Sequence, residues 1–137
     1  MALDFRKLQI KSIQAPNFLM SPLELHEYID FEVKRVYFIT HPTGPTGSHA
    51  HKVEKELFVI VQGTCVAEID QGNGLEDVPM GDTGTHAIYV GTQIWHHFKD
   101  FSADAIVMAL SSTNYDPSRE DYIMDYTEYQ KTIAGMK

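Results

Sequence analysis

The stretch "TGSHAHKVEKELFVIVQG", residues 46–63, carries two histidines one residue apart, then a charged knot, then an apolar run closed by glycine. Side chains two apart on a strand point the same way, so His49 and His51 face one side together. "KVEK" (52–55) reads as a turn, and 56–62 as the returning strand, with Glu56, Phe58, Ile60 and Gln62 on one face. Further along, "VGTQIWHHF" (90–98) adds His96, with His97 on the opposite face. By coordination chemistry alone, His49, His51, Glu56 and His96 form a three-nitrogen, one-carboxylate set suited to Mn, Fe, Ni or Zn. Neutral imidazoles, with pKa near ~6.5, equally suit metal-free acid–base work. Buried histidines satisfied by hydrogen bonds are the third reading, and this stretch alone does not choose among them.

Outward from the histidines, short β-branched and aromatic runs recur at 31–40, 56–63, 65–70, 86–91, 94–101 and 105–112. Between them lie "HPTGPTGS", "QGNG", "PMGDTG" and "FSAD", which are turn chemistry. Strands this short and this often interrupted predict an all-β sandwich or barrel. The tail "SREDYIMDYTEYQKTIAGMK" differs: Tyr122, Tyr126 and Tyr129 fall at i, i+4 and i+7, which predicts one amphipathic C-terminal helical segment. The whole of 1–137 reads as a single domain, long enough for one core.

Alternation over 31–40 puts Phe31, Val33, Arg35, Tyr37 and Ile39 on one face. Arg35 and Tyr37 thus project together from an otherwise apolar face. An inward arginine needs an anion, either a carboxylate of the protein or a ligand phosphate. The chain has a net charge of −8, and its arginines are Arg6, Arg35 and Arg119. No basic stripe exists to neutralise a nucleic-acid backbone, so nucleic acid is not an expected partner. A single Cys65 forbids a disulfide within one chain and reads as a small buried apolar residue. The start "MALDFRKLQIKS" has no apolar core of a leader, and no apolar run approaches ~18 residues. The expectation is a cytoplasmic protein without a membrane anchor.

The spacing H-x-H-x4-E-x6-G from His49 to Gly63, with a further His about forty residues on, is the pattern of the cupin barrel, a double-stranded β-helix or jelly roll. "FEVKRVYFI", "GSHAHK", "IYVG", "IWHHFKDFS" and the tail "YDPSREDYIMDY" together resemble the cupin-type dTDP-sugar 3,4-ketoisomerases (WxcM-like) over roughly residues 20–130. The resemblance implies an isomerase that moves the keto group of dTDP-4-keto-6-deoxy-glucose from C4 to C3 through an enediolate. Such enzymes feed dTDP-amino-sugar synthesis for surface polysaccharide such as O-antigen, and are typically homodimers that exchange N-terminal strands. It implies His51 as base, His49 as its partner, Tyr37 as a donor to the enediolate, and Arg35, His96 and Trp95 as substrate-binding residues. No cofactor is required on this reading. A divalent metal on His49, His51, Glu56 and His96 is the alternative.

This chain also departs from the pattern it resembles. Thr46 stands where relatives usually carry Arg, Glu56 where they usually carry Gln, and Asn17 where they carry Tyr or Arg. Position 17 and the residue after Trp95 are implied to set the C4 configuration. His96 points to the 6-deoxy-galactose product, whereas Asn17 matches neither branch. A metal-dependent cupin enzyme (supported by Glu56) and a non-catalytic sugar-nucleotide-binding cupin (supported by Thr46) are the competing functions.

Overall fold

The computed structural model describes residues 3–81 and 84–136. In chain order these residues form β1 (Phe5–Leu8), β2 (Ile13–Gln14), β3 (Leu19–Met20), α1 (Leu25–Tyr28), β4 (Arg35–Ile39), β5 (Ala50–His51), β6 (Glu56–Gln62), β7 (Cys65–Asp70), β8 (Leu75–Met80), β9 (Ala87–Val90), β10 (Trp95–Lys99), β11 (Ile106–Ser111), β12 (Tyr122–Ile123) and α2 (Tyr126–Met136). One sheet runs β1-β9-β6-β11-β4 and is antiparallel throughout. Facing it, β10-β7-β8 is extended by β12-β5 through a backbone bridge between His49 and His96. This is the jelly-roll arrangement of an all-β cupin, with two sheets packed face to face.

Between the sheets lies the main core: Phe58, Ala67, Ile69, Val78, Ile88, Val107 and Ala109, with Tyr37 and Ile39 against them. Leu57 and Val59 point the other way, into a second cluster with Ile10, Tyr28 and Tyr89. β6 is therefore covered on both faces, which explains why "ELFVIV" is an unbroken apolar run rather than an alternating one. Gly63 closes β6 at φ +73, and a Cβ there would come within 2.9 Å of the Ala105 Cα. The glycine that ends the opening stretch is thus required by both its backbone angle and the close approach.

Three expectations are corrected. Phe31 and Val33 do not share the face of Tyr37 and Ile39; they pack in the second cluster, outside the sheet. The strand begins only at Arg35, so the two-residue period has no phase to carry through 31–34. Residues 75–80 form a strand despite Pro79, because β8 is the edge of its sheet and loses no ladder bond that an inner strand would need. Tyr122 is not helical: it pairs with His51 in a two-residue ladder, and the helix starts at Tyr126. Cys65 is buried as expected, and burial pushes its thiol up to about 11, well out of reach of ordinary thiolate chemistry. Among the described residues no helix is long and apolar enough to cross a membrane.

Candidate active site

Alternation on two short strands builds the site. On β5, Ala50 faces outward into a cluster with Trp95, Ile123, Tyr129 and Ile133, which turns its neighbours His49 and His51 inward. On β10, Trp95 packs into the same outer cluster and His96 turns inward. Glu56 and Tyr37 arrive from the opposite sheet, on β6 and β4. Three of the expected residues, Tyr37, His49 and His96, therefore meet around one cavity of about 310 Å³, whose wall also includes Phe58. His51 lies directly behind His49 and is only 2% exposed.

The imidazoles are closely coupled. The Nε2 atoms of His49 and His51 stand 3.0 Å apart. Glu56 Oε1 lies 3.3 Å from His51 Nε2 and 3.7 Å from His96 Nε2. The Tyr37 hydroxyl donates a short hydrogen bond to the other Glu56 oxygen. Behind the ring, His51 Nδ1 lies 3.0 Å from Asp121 Oδ2. Asp121 is itself fixed by the amides of Val53 at 2.6 Å and Glu54 at 3.2 Å. His96 Nδ1 donates to the Ile94 carbonyl at 2.9 Å, so in the neutral ring Nε2 carries a lone pair, and among the described residues that buried atom has no hydrogen-bond partner.

These surroundings separate the two histidines chemically. Burial first, and then repulsion by His96 and His51, brings His49 down to about 3. Burial also opposes a charge on His51, but the hydrogen bond and charge of Glu56, with Glu54 and Asp121 behind, more than offset it and raise its pKa above 6.5. Burial would raise Glu56, yet the hydrogen bond of His51 and the closeness of the His96 ring hold it below the usual carboxylate range. Burial, reinforced by the charge of Glu56, keeps Tyr37 a phenol, a donor rather than a base. The carboxylates around His51 therefore favour a proton on its ring, while burial and the neighbouring imidazoles disfavour one on His49.

Arg35 reaches Glu54 at 3.2 Å and lies over the Tyr37 ring at 5.1 Å. Glu54 also accepts from Ser111 Oγ and Thr113 Oγ1, both at 2.9 Å. The inward arginine thus has a carboxylate of the protein, while its buried Nε has no hydrogen-bond partner among the described residues. A second cavity of about 360 Å³ opens on this side, lined by Arg35, Glu54, Asp121 and Tyr122. Tyr122 borders both cavities, and its ring stands 4.5 Å from that of His51 and 4.8 Å from that of His49. Arg119 lines the histidine cavity, and its guanidinium stands over the Tyr122 ring at 5.1 Å.

The structure does not bring Trp95 to either cavity. Its ring packs 5.3 Å from Tyr126 and 5.5 Å from Tyr129, against α2. A residue adjacent to an inward-facing His96 on a strand must face out. Asp121, Tyr122 and Glu54 are the site residues that sequence reasoning did not assign. The first two were visible as part of the tail motif, but reading that tail as one helix hid the turn at Asp121 and the strand at Tyr122.

The family FdtA, described as WxcM-like, C-terminal, matches residues 4–134. The chain belongs to this family. A relative within reach is the TDP-4-oxo-6-deoxy-alpha-D-glucose-3,4-oxoisomerase of Aneurinibacillus thermoaerophilus, 38% identical over 114 residues, which are 82% of this chain and 80% of that protein. Among solved structures, the WlaRB TDP-quinovose 3,4-ketoisomerase of Campylobacter jejuni is 28% identical with a TM-score of 0.82, over 93% of this chain and 98% of that one. A doubly substituted QdtA 3,4-ketoisomerase of Thermoanaerobacterium thermosaccharolyticum, in complex with TDP, gives a TM-score of 0.87 at 25% identity, over 99% and 98% of the two chains. The resemblance carried by the tail and by the H-x-H block is thereby confirmed at the level of the WxcM-like family.

The base assignment has a pH consequence. A base must be unprotonated to act, so kcat/KM of a family reaction starting at His51 should rise with pH through an apparent pKa above the ordinary 6.5. Asp121→Asn removes one of the charges that favour the imidazolium, so the acid limb should move to lower pH. The plateau should fall by about 10-fold or more as the ring loses the partner that fixes its tautomer. A pH–rate profile of both proteins measures this. An unmoved acid limb would assign the titration to another group.

Proposed function

We propose that this chain is a dTDP-sugar 3,4-ketoisomerase, moving the keto group of dTDP-4-keto-6-deoxy-glucose from C4 to C3. The observation that supports it best is the contrast at the cavity: one imidazole made basic by Glu56 and Asp121, beside another held neutral. His51 Nε2 removes the C3 proton, leaving a 3,4-enediolate. The oxygen on C3 gives up its hydroxyl proton and becomes the carbonyl, while the former C4 carbonyl oxygen gains one. The proton held by His51 returns at C4, so the reaction is balanced without a redox partner. Neutral His49 supplies a hydrogen bond to the developing oxyanion, and the Tyr37 hydroxyl, which donates to Glu56 in the free protein, turns to it when the sugar binds. The lone pair of His96 accepts from a sugar hydroxyl.

A divalent ion on His49, His51, Glu56 and His96 would supply Lewis-acid polarisation of the carbonyl. The ketone already acidifies its neighbouring C–H, so base and donors suffice for turnover. Activity should survive chelation with EDTA. Loss of turnover in EDTA, restored by one divalent metal, would favour the metallo-cupin reading instead.

Two cations flank Tyr122 for the diphosphate. Arg119 brings a guanidinium whose contact among the described residues is an aromatic face, and Arg35 brings its free Nε. A charged hydrogen bond is worth about 1.5–3 kcal/mol, so Arg119→Ala or Arg35→Ala should raise KM by ~10-fold or more. Arg35→Ala should also cost stability, because it strips a charge partner from buried Glu54. If Arg35→Ala lowers only the melting temperature, its role ends with Glu54.

The product is dTDP-3-keto-6-deoxy-galactose, a reading supported by His96, and it feeds dTDP-amino-sugar synthesis for surface polysaccharide in the cytoplasm. The active form is a homodimer. Ile13, Phe18, Leu19 and Met20 on the β2–β3 hairpin and Val36 and Phe38 on the edge strand β4 are exposed apolar side chains that a second copy would cover. Asn17, exposed at the tip of that hairpin, is then carried toward the partner. NMR of dTDP-4-keto-6-deoxy-glucose incubated with the protein in deuterium oxide reports C3 exchange, transfer to C4 and product configuration together. No change in the sugar signals would overturn the assignment.

A further inference from the structure

Arg35 uses only half of the edge that it turns toward Glu54. Its Nη2 donates to Glu54 Oε2 at 3.2 Å, while Nε, on the same edge of the guanidinium, is buried with no hydrogen-bond partner among the described residues. Arg6 shows that edge filled: its Nε and Nη2 reach the two oxygens of Asp4 at 2.9 and 2.8 Å. A two-oxygen anion completes the same edge of Arg35 only by taking Nη2 from Glu54. Glu54, in turn, keeps its place without the arginine. Ser111 Oγ donates to Oε2 and Thr113 Oγ1 to Oε1, both at 2.9 Å. The Glu54 side chain is 5% exposed and that of Arg35 is 23% exposed, so the arginine is the partner with room to move. Its guanidinium lies 5.1 Å from the centre of the Tyr37 ring and 5.9 Å from that of Tyr115, contacts that fix no hydrogen-bond direction.

We propose that Glu54 competes with the diphosphate for Arg35: it holds the guanidinium in the free protein, yields it to dTDP or the dTDP-sugar, and reclaims it as the nucleotide leaves. Glu54 is then a positioning residue that acts through Arg35 and lowers nucleotide affinity. The measured affinity is the intrinsic one reduced by the fraction of chains in which the arginine is released. The inference rests on the reading that Arg35 meets the diphosphate. The cavity wall around the pair also carries Asp116, Glu120 and Asp121 against Lys52, and such a wall repels a phosphate without any exchange of partners. A double-mutant cycle separates competition from that repulsion.

The test is calorimetric titration of the full chain with dTDP, which has no sugar to react, and in parallel with pyrophosphate. Glu54→Gln keeps an acceptor for Ser111 or Thr113 but loses the charge, and it should bind dTDP about 10-fold more tightly than the wild type. In an Arg35→Ala background the same substitution should change the affinity by no more than about twofold. Equal or weaker binding by Glu54→Gln overturns the competition. Equal tightening with and without Arg35 overturns it too, since Glu54 is then only a repelling charge. Circular dichroism shows whether the variants are folded, and the wild type supplies a measurement that needs none of them. With nitrogen-labelled arginine, the Nε signal of Arg35 should move when dTDP is added, and a signal that stays put while dTDP binds overturns the exchange. Pyrophosphate that reproduces these effects where dTDP gives no heat refutes the nucleotide and leaves the competition standing. No heat from either anion, with wild type or Glu54→Gln, overturns the competition. Exchange of Arg35 onto dTDP in a protein that never isomerises the dTDP-sugar keeps the inference and refutes the ketoisomerase reading.

Discussion

His51→Asn should leave a folded protein that binds the dTDP-sugar yet isomerises it about 10²–10⁴-fold more slowly, the range for loss of a positioned general base. Exchange of the C3 proton with solvent should fall with it, because one nitrogen carries both events. Asn keeps a polar group where the ring met Asp121, so the half-buried carboxylate is not stranded. His49→Asn should behave differently. Its pKa of about 3 makes the ring too weak a base to take a C–H proton at neutral pH, so this variant should turn over slowly while retaining C3 exchange. Single-turnover NMR in deuterium oxide separates the two. Rapid C3 exchange in His51→Asn with none in His49→Asn would reverse the roles. That outcome deserves a direct measurement, because His49 lines the cavity and His51 stands behind it.

Trp95→Ala should act on stability rather than on substrate. The indole is 5% exposed and anchors α2 through Tyr126 and Tyr129, so its removal leaves a large cavity. Truncation of a buried Trp typically costs 3–5 kcal/mol, about 10–15 °C in Tm for a domain of this size. The helix keeps its polar anchors in the variant, Tyr126 donating to Asp70 at 2.7 Å and Tyr129 reaching the Gln93 carbonyl at 2.8 Å, so the fold should persist. KM measured well below the transition should stay within about twofold of the wild type, since no atom of Trp95 borders either cavity. A thermal melt beside a substrate titration decides it. A raised KM with an unchanged Tm would return Trp95 to the substrate site.

The resemblance assigned His49, His51 and Tyr37 to catalysis and Arg35, His96 and Trp95 to substrate, and the molecule treats these residues unequally. His49, His96 and Tyr37 do line one cavity, because two-residue alternation is a local property that survives any packing. The same rule, applied one residue earlier, places Trp95 outside, and the family analogy had overridden it. Arg35 projects inward as its strand predicts, but its partner Glu54 is 19 positions away in a segment read only as a turn. Asp121 is 70 positions from His51, and its contact with the base has no periodic trace in the sequence.

The sequence by itself determined the fold class, the facing of His49, His51, Glu56 and His96, and the family, because strand period, turn residues and the tail motif are all local or ordered along the chain. Tertiary structure decided which histidine is basic. That choice depends on the carboxylates of Glu56 and Asp121 closing on one ring from two sides, and on burial stripping the other of its charge. It also decided that Tyr122 is a strand residue between two cavities rather than a turn of helix. Helical spacing at 122, 126 and 129 is only a propensity, and pairing with β5 outweighs it where Asp121 has His51 and the Val53 amide to bind.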